Sequence, residues 1–116
     1  MSDPLRELRD SLRTFAAERD WDQFHSPRNL ATALAVEAAE LLEPFQWLTE
    51  EQSCDLPPDV RAAVEEELAD VLLYLVRLAD KLDVDLPAAA RAKILRNGDK
   101  YPVEKARGSS RKYDEL

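Results

Sequence analysis

The sequence predicts an all-α fold, and three observations carry that prediction. Leu and Ala dominate, while Val and Ile are too few and too scattered to make strand runs. There are only 2 Gly in 116 residues. The apolar residues recur at helical spacing in long stretches bounded by Pro, Asp and Ser. A chain of this length suits one domain with one core. The reading gives four helices in a bundle, a helical domain over residues 1–103, and a polar tail over residues 104–116.

The first helix is expected from about Pro4 to Arg19. Asp3 can cap it and Pro4 suits its first turn. Leu5, Leu8, Leu12 and Phe15 then share one face. The stretch "DWDQFHSPRN" breaks the pattern and reads as a structured loop rich in aromatics. The second helix starts near Pro27 or Asn29 and runs to about Glu43. Pro44 ends it, because the residue before a proline avoids the helical region. "FQWL" and an acidic connector lead to "DLPPDV". The third helix is the longest, from about Pro58 to Leu82. The fourth opens at "DLPAAA" with Asp85 as its cap and is expected to stop near Asn97, with Gly98 as terminator. The tail, "DKYPVEKARGSSRKYDEL", is polar, partly basic and expected to be poorly ordered unless a partner or ligand holds it.

A net charge of −8 argues against binding nucleic acid through a phosphate-neutralising surface. The longest apolar run, "VLLYLVRLA", is too short and too interrupted to cross a membrane. The N-terminus is charged from the start and does not read as a signal peptide. The single cysteine, Cys54, excludes an intrachain disulfide and has no metal-binding spacing. A cytoplasmic location is expected.

Two stretches are odd for amphipathic helices. "LAVEAAELLE" places Glu37 and Glu40 among apolar residues, and "VEEELADVLLYLV" does the same with Glu67 and Asp70. A helix turns roughly 100° per residue, so Leu30, Leu34 and Leu41 fall within about 60° of Glu37, with Glu40 about 60° to the other side. Val64, Val71, Tyr74 and Leu78 fall within about 60° of Glu67, with Asp70 on the neighbouring edge. Four carboxylates at the rim of a core must be protonated, paired or bound to a cation, because burying uncompensated charge is costly. Arg61 and Arg77 do not suffice to pair with all of them. Hard oxygen ligands select a hard cation, most simply Mg²⁺, for which Mn²⁺ can substitute. Carboxylates three apart are also ordinary on acidic helices, so spacing alone leaves a solvated acidic face open.

Lys93, Arg96, Asn97, Lys100 and Tyr101 gather donors near the end of the fourth helix. They could hold phosphates, or simply complement the helix dipole. Trp21, Phe24, His25, Phe45 and Trp47 could sandwich a nucleobase, or pack in the core. One His and one distant Cys make a zinc site a poor reading. The Glu-x-x-His pairs of a di-iron bundle are absent.

In combination, "RDWDQFHSPRNLATALAVEAAELLEPFQW" and "EEELADVLLYLVRLADKLDVDLPAAARAKILRNGDKYP" resemble the MazG-like all-α nucleotide pyrophosphohydrolases, nearest to the dCTP pyrophosphatase branch. The resemblance covers roughly residues 5 to 113. It implies Mg²⁺-dependent hydrolysis of nucleoside triphosphates, dCTP or modified dCTP foremost, between the α and β phosphates. The products are the monophosphate and pyrophosphate. The matching metal ligands are Glu37, Glu40, Glu67 and Asp70, with Glu37 or Glu40 as the catalytic base. Lys93, Asn97, Lys100 and Tyr101 match the phosphate and sugar region. Trp21, His25, Trp47 and Tyr74 match the base pocket. A homotetramer is implied, with sites near subunit interfaces.

Three departures bear on this resemblance. Pro44 sits where relatives often carry a helix-compatible residue. Leu12 sits where animal relatives can carry a histidine near the base. Gly98 and Asp99 make the region before "KYP" less basic than in some relatives. Two rivals follow: the same fold acting on dUTP or an oxidised purine, and a non-catalytic helical protein whose acidic cluster merely binds cations.

Overall fold

A computed structural model describes residues 3–116. Among the described residues all regular structure is helical. Six α-helices run in order: α1 Pro4–Glu18, α2 Pro27–Leu42, α3 Glu50–Ser53, α4 Pro58–Lys81, α5 Leu86–Lys100 and α6 Val103–Ala106. Short 3₁₀ turns occupy Asp22–Phe24, Glu43–Phe45 and Tyr113–Glu115. The chain divides into two compact units, Met1–Asp83 and Val84–Leu116.

The first unit is built on α4. Helix α2 packs along it, and α1 packs against it as well. Each helix start has a local cause. Asp3 accepts from Leu5 N–H, Ser26 from Asn29 N–H and Asp85 from Ala88 N–H, and each is followed by an early proline. Helix α1 ends where Asp20 turns left-handed at φ 53°. That turn lets Trp21 N–H reach Ala16 O at 2.9 Å. The buried apolar core is small: Ala16, Leu30, Val64, Val76 and Ala79. On α4, Leu68, Leu72 and Leu75, and Leu82 at its C-cap, stay exposed, at 52%, 38%, 37% and 54%. Their spacing of four, three and seven puts them on one stripe.

Three local differences from expectation have clear reasons. Helix α2 stops at Leu42, and Glu43–Phe45 tightens into a 3₁₀ turn with Pro44 in its first turn. The acidic connector contains α3, held by a capping box: Thr49 Oγ1 accepts from Gln52 N–H and Gln52 Oε1 accepts from Thr49 N–H. Helix α5 does not stop at Gly98 but runs to Lys100, and Tyr101 N–H still bonds Asn97 O at 2.8 Å. Pro102 is the terminator, since the residue before it leaves the helical region.

In the second unit the polar tail carries α6. Tyr113 lies edge-on to Tyr101 with ring centroids 6.1 Å apart, and Lys100 Nζ sits 4.9 Å over the Tyr113 ring.

Candidate metal centre and base pocket

Packing α2 against α4 brings the two acidic pairs face to face. Glu37, Glu67 and Asp70 each bring one carboxylate oxygen to within 4.8 Å of the others. All three are half-buried. Glu40 stands beside Glu37 and is felt there as a neighbouring charge, but it is not in that triplet. It is half-buried on α2, one turn beyond Glu37.

Two oxygens in this cluster lack partners. Glu37 Oε2 and Glu67 Oε2 are both shielded from water and receive no hydrogen bond. Facing carboxylates can satisfy each other only by sharing a proton or a cation. Burial, then the carboxyl groups of Glu67 and Glu40, push the Glu37 carboxyl up to about 7 from an ordinary 4.5. Among the described residues no ion pair reaches any of the four carboxylates. Arg61 bonds Glu65 and Arg77 bonds Asp22 and Asp80. The donor set is all oxygen, anionic and short of positive charge, which fits a hard divalent cation.

The aromatic residues fall into two groups. Trp21 is 44% exposed, edge-on to Phe15 at 5.6 Å and to His25 at 6.4 Å. Tyr74 is half-buried on α4, one turn beyond Asp70. Trp47 stands apart at 86% exposed, past the 3₁₀ turn. In the second unit Lys93, Asn97 and Lys100 are exposed along α5, and Tyr101 caps its end.

One set of residues escaped the sequence reading. Arg77 is only 6% exposed. Its Nη2 donates to Asp22 Oδ1 at 2.6 Å, and its Nε to His25 Nδ1 at 3.1 Å. Asp22 also takes Lys81, and Asp80 takes Arg13, both at 2.5 Å. Arg13, Ala17, Asp22, Arg77, Asp80 and Lys81 line a cleft of about 340 Å³. Hydrogen bonds from Lys81 and Arg77 hold the Asp22 carboxyl below its ordinary range. Arg13 does the same for Asp80. Burial, then the Arg77 and Lys81 charges, lower the pKa of His25. A basic residue inside "LLYLVRLA" was the one available signal.

The MazG-like family model matches residues 32–116. The chain belongs to the MazG-like family. It is 52% identical over 114 residues to dCTP pyrophosphatase 1 of both Mus musculus and Homo sapiens, spanning 97% of this chain and 67% of each relative. It is 49% identical to dCTP pyrophosphatase 1 of Bos taurus, over 97% of this chain and 68% of that one. The crystal structure of a pyrophosphatase from Archaeoglobus fulgidus superposes with a TM-score of 0.82 at 39% identity. It covers 88% of this chain and 95% of its own. Among the described residues no helix is long and apolar enough to cross a membrane.

Proposed function

We propose that this MazG-like chain is a Mg²⁺-dependent nucleoside triphosphate pyrophosphatase that takes dCTP or a modified dCTP to the monophosphate and pyrophosphate. The observation that carries the chemistry is the pair of unpartnered, water-shielded oxygens on Glu37 and Glu67 within an all-carboxylate cluster. The preference for a cytosine nucleotide rests on relatives at 49–52% identity that are dCTP pyrophosphatases.

Glu37, Glu67 and Asp70 would hold the cation, with Glu40 completing or flanking the set. When bound, Mg²⁺ or Mn²⁺ supplies charge neutralisation at the phosphates and acidifies water in its coordination sphere. The chain's own residues do the rest. A water attacks the α-phosphorus, its proton passes to a carboxylate of Glu40 or Glu37, and the bond from that phosphorus to the bridging oxygen breaks. The resemblance gives Lys93 and Lys100 the role of holding the charge of the leaving pyrophosphate, and Asn97 and Tyr101 a contact to phosphate or sugar. Trp21, His25, Tyr74 and Trp47 form the base pocket. Leu12, half-buried on α1, offers no polar group to the base, so discrimination falls on the aromatics.

The same reading makes the protein a homotetramer acting in the cytosol on free nucleotides, without nucleic-acid partners. The exposed leucine stripe on α4 supports self-association, since apolar patches of that kind mark contact surfaces. Light scattering coupled to size exclusion reads the assembly directly.

The deciding experiment is product analysis with Mg²⁺ and a panel of canonical and modified nucleoside triphosphates. Monophosphate plus pyrophosphate, with cytosine nucleotides favoured, is the expected result. A preference for dUTP or an oxidised purine would reassign the substrate within the same chemistry. Diphosphate plus orthophosphate, or no turnover at all, would overturn the reaction.

A further inference from the structure

Arg77 is buried, charged and unused by the chemistry above, and its partners are unusual. A guanidinium out of water ordinarily turns its donors on carboxylates. Here Nη2 does so, on Asp22 Oδ1 at 2.6 Å, and Nη1 lies 3.5 Å from Asp80 Oδ2. The Nε–H goes instead to a neutral ring nitrogen, His25 Nδ1, at 3.1 Å. Accepting at Nδ1 requires that atom to be unprotonated, so the neutral imidazole carries its proton on Nε2. The ring is thereby fixed in both tautomer and plane.

What the fixed ring touches is Trp21, edge-on at 6.4 Å and 65°. Phe15 meets Trp21 from another side at 5.6 Å and 69°. The backbone at Trp21 is tied to Ala16 O after the left-handed turn at Asp20. Asp22, the next residue, is bound by Arg77 itself and by Lys81. The indole is therefore clamped by ring edges and by its own backbone, and still leaves 44% of the residue open. On α4, Arg77 is seven residues beyond Asp70. That is two turns, about 10 Å along the same face.

We propose that Arg77 is a positioning residue for base recognition: through His25 and Asp22 it sets the pose of Trp21, and so affects nucleotide affinity rather than bond cleavage or metal binding. This rests on the reading of Trp21 as a wall of the base pocket.

Three variants test it. In Arg77→Met the chain fills the same space, while Asp22 keeps Lys81 and Asp80 keeps Arg13. Arg77→Lys keeps the charge beside Asp22 and Asp80 but loses the fixed Nε–H that meets His25, and serves should Arg77→Met fail to fold. Trp21→Ala calibrates the pocket. KM for dCTP, kcat and the Mg²⁺ concentration for half-activity are measured for each. Trp21 emission and acrylamide quenching are read in a Trp47→Phe background, metal-free and without nucleotide.

Arg77→Met and Arg77→Lys are expected to raise KM about tenfold or more, the size that loss of one base–aromatic stack implies. They should leave kcat and the Mg²⁺ requirement within about twofold, and make Trp21 redder and more quenchable. Unchanged Trp21 emission overturns the positioning role. A fall in kcat or a raised Mg²⁺ requirement that matches the KM change overturns it too, since Arg77 would then act on the whole fold. If Trp21→Ala leaves KM unchanged, the base-pocket reading of Trp21 fails. Altered emission in Arg77→Met would then show a clamp without that function, which also overturns the proposal.

Discussion

Metal binding at the carboxylate cluster should release protons, and the structure sets how many. The Glu37 carboxyl titrates at about 7 in the metal-free protein. Below pH 7 the cluster therefore keeps most of a proton, and above it little of one. A cation needs the anion, so each Mg²⁺ bound should displace most of a proton at pH 6 and little of one at pH 8. Below pH 7 the Mg²⁺ Kd should weaken by about tenfold per pH unit, and above pH 8 it should level off. Titration calorimetry in two buffers of different protonation enthalpy measures the release directly at each pH. Glu37→Gln should abolish it. The same group sets the sign of the metal-free stability. Its folded pKa is raised, so its contribution is fully present below 4.5 and is lost as pH rises through about 7. Metal-free melting should therefore fall across that window, and Mg²⁺ should restore most at pH 7 and above. Proton release near zero at pH 6, or equal at pH 6 and 8, would refute the assignment of Glu37 to the cation site.

Three further outcomes are expected. Leu30→Ala, at a side chain 1% exposed in the α2–α4 seam, should cost about 2–5 kcal/mol. That lowers Tm by on the order of 10 °C or more in circular-dichroism melts, and a drop of only a degree or two would show the seam is not the core. Trp47→Ala should leave Tm nearly unchanged, because that side chain is 86% exposed. It should still raise KM for the nucleotide, and an unaltered KM would remove Trp47 from the pocket. Asp80→Asn should destabilise at pH 6 but converge with the parent chain in acid. The Asp80 carboxyl is held low by Arg13, so its contribution exists above 3.8 and vanishes as pH falls through its depressed value. Denaturant melts at pH 6 and pH 3 separate the two cases, and an equal gap at both would argue against the ion pair.

Much of the fold was legible because its signals are local. Asp3, Ser26 and Asp85 cap helices within three residues of their own position, which a sequence displays openly. Helix α3 was also legible in principle, as Thr49 and Gln52 spell a capping box, but four residues amid acids made little pattern. Gly98 misled because a glycine stops a helix only where the left-handed turn is needed, and here Pro102 supplied the stop. Helical period put Glu37 and Glu67 on core-facing arcs but left a solvated acidic face open, and only the packing of α2 on α4 brings Glu37, Glu67 and Asp70 together. The Arg77 network could not be anticipated. Its bonds join residues 52 and 55 apart, and they exist only because the Asp20 turn folds the aromatic loop back onto α4.

The smallness of the buried core has a consequence for how substitutions in this chain should be sorted. Among the described residues five apolar side chains are buried, two of them alanines and one a leucine, while four leucines on α4 and at its C-cap lie open on a single stripe. On the homotetramer reading, those leucines are interior positions of the assembly. A polar change at Leu68 or Leu72 would look harmless on one chain and yet act like a core lesion. Its effect would grow on dilution, because the folded state and subunit concentration are linked by mass action. Tolerance to mutation in this protein is then a property of how many copies meet, and a variant's severity depends on the concentration at which it is assayed.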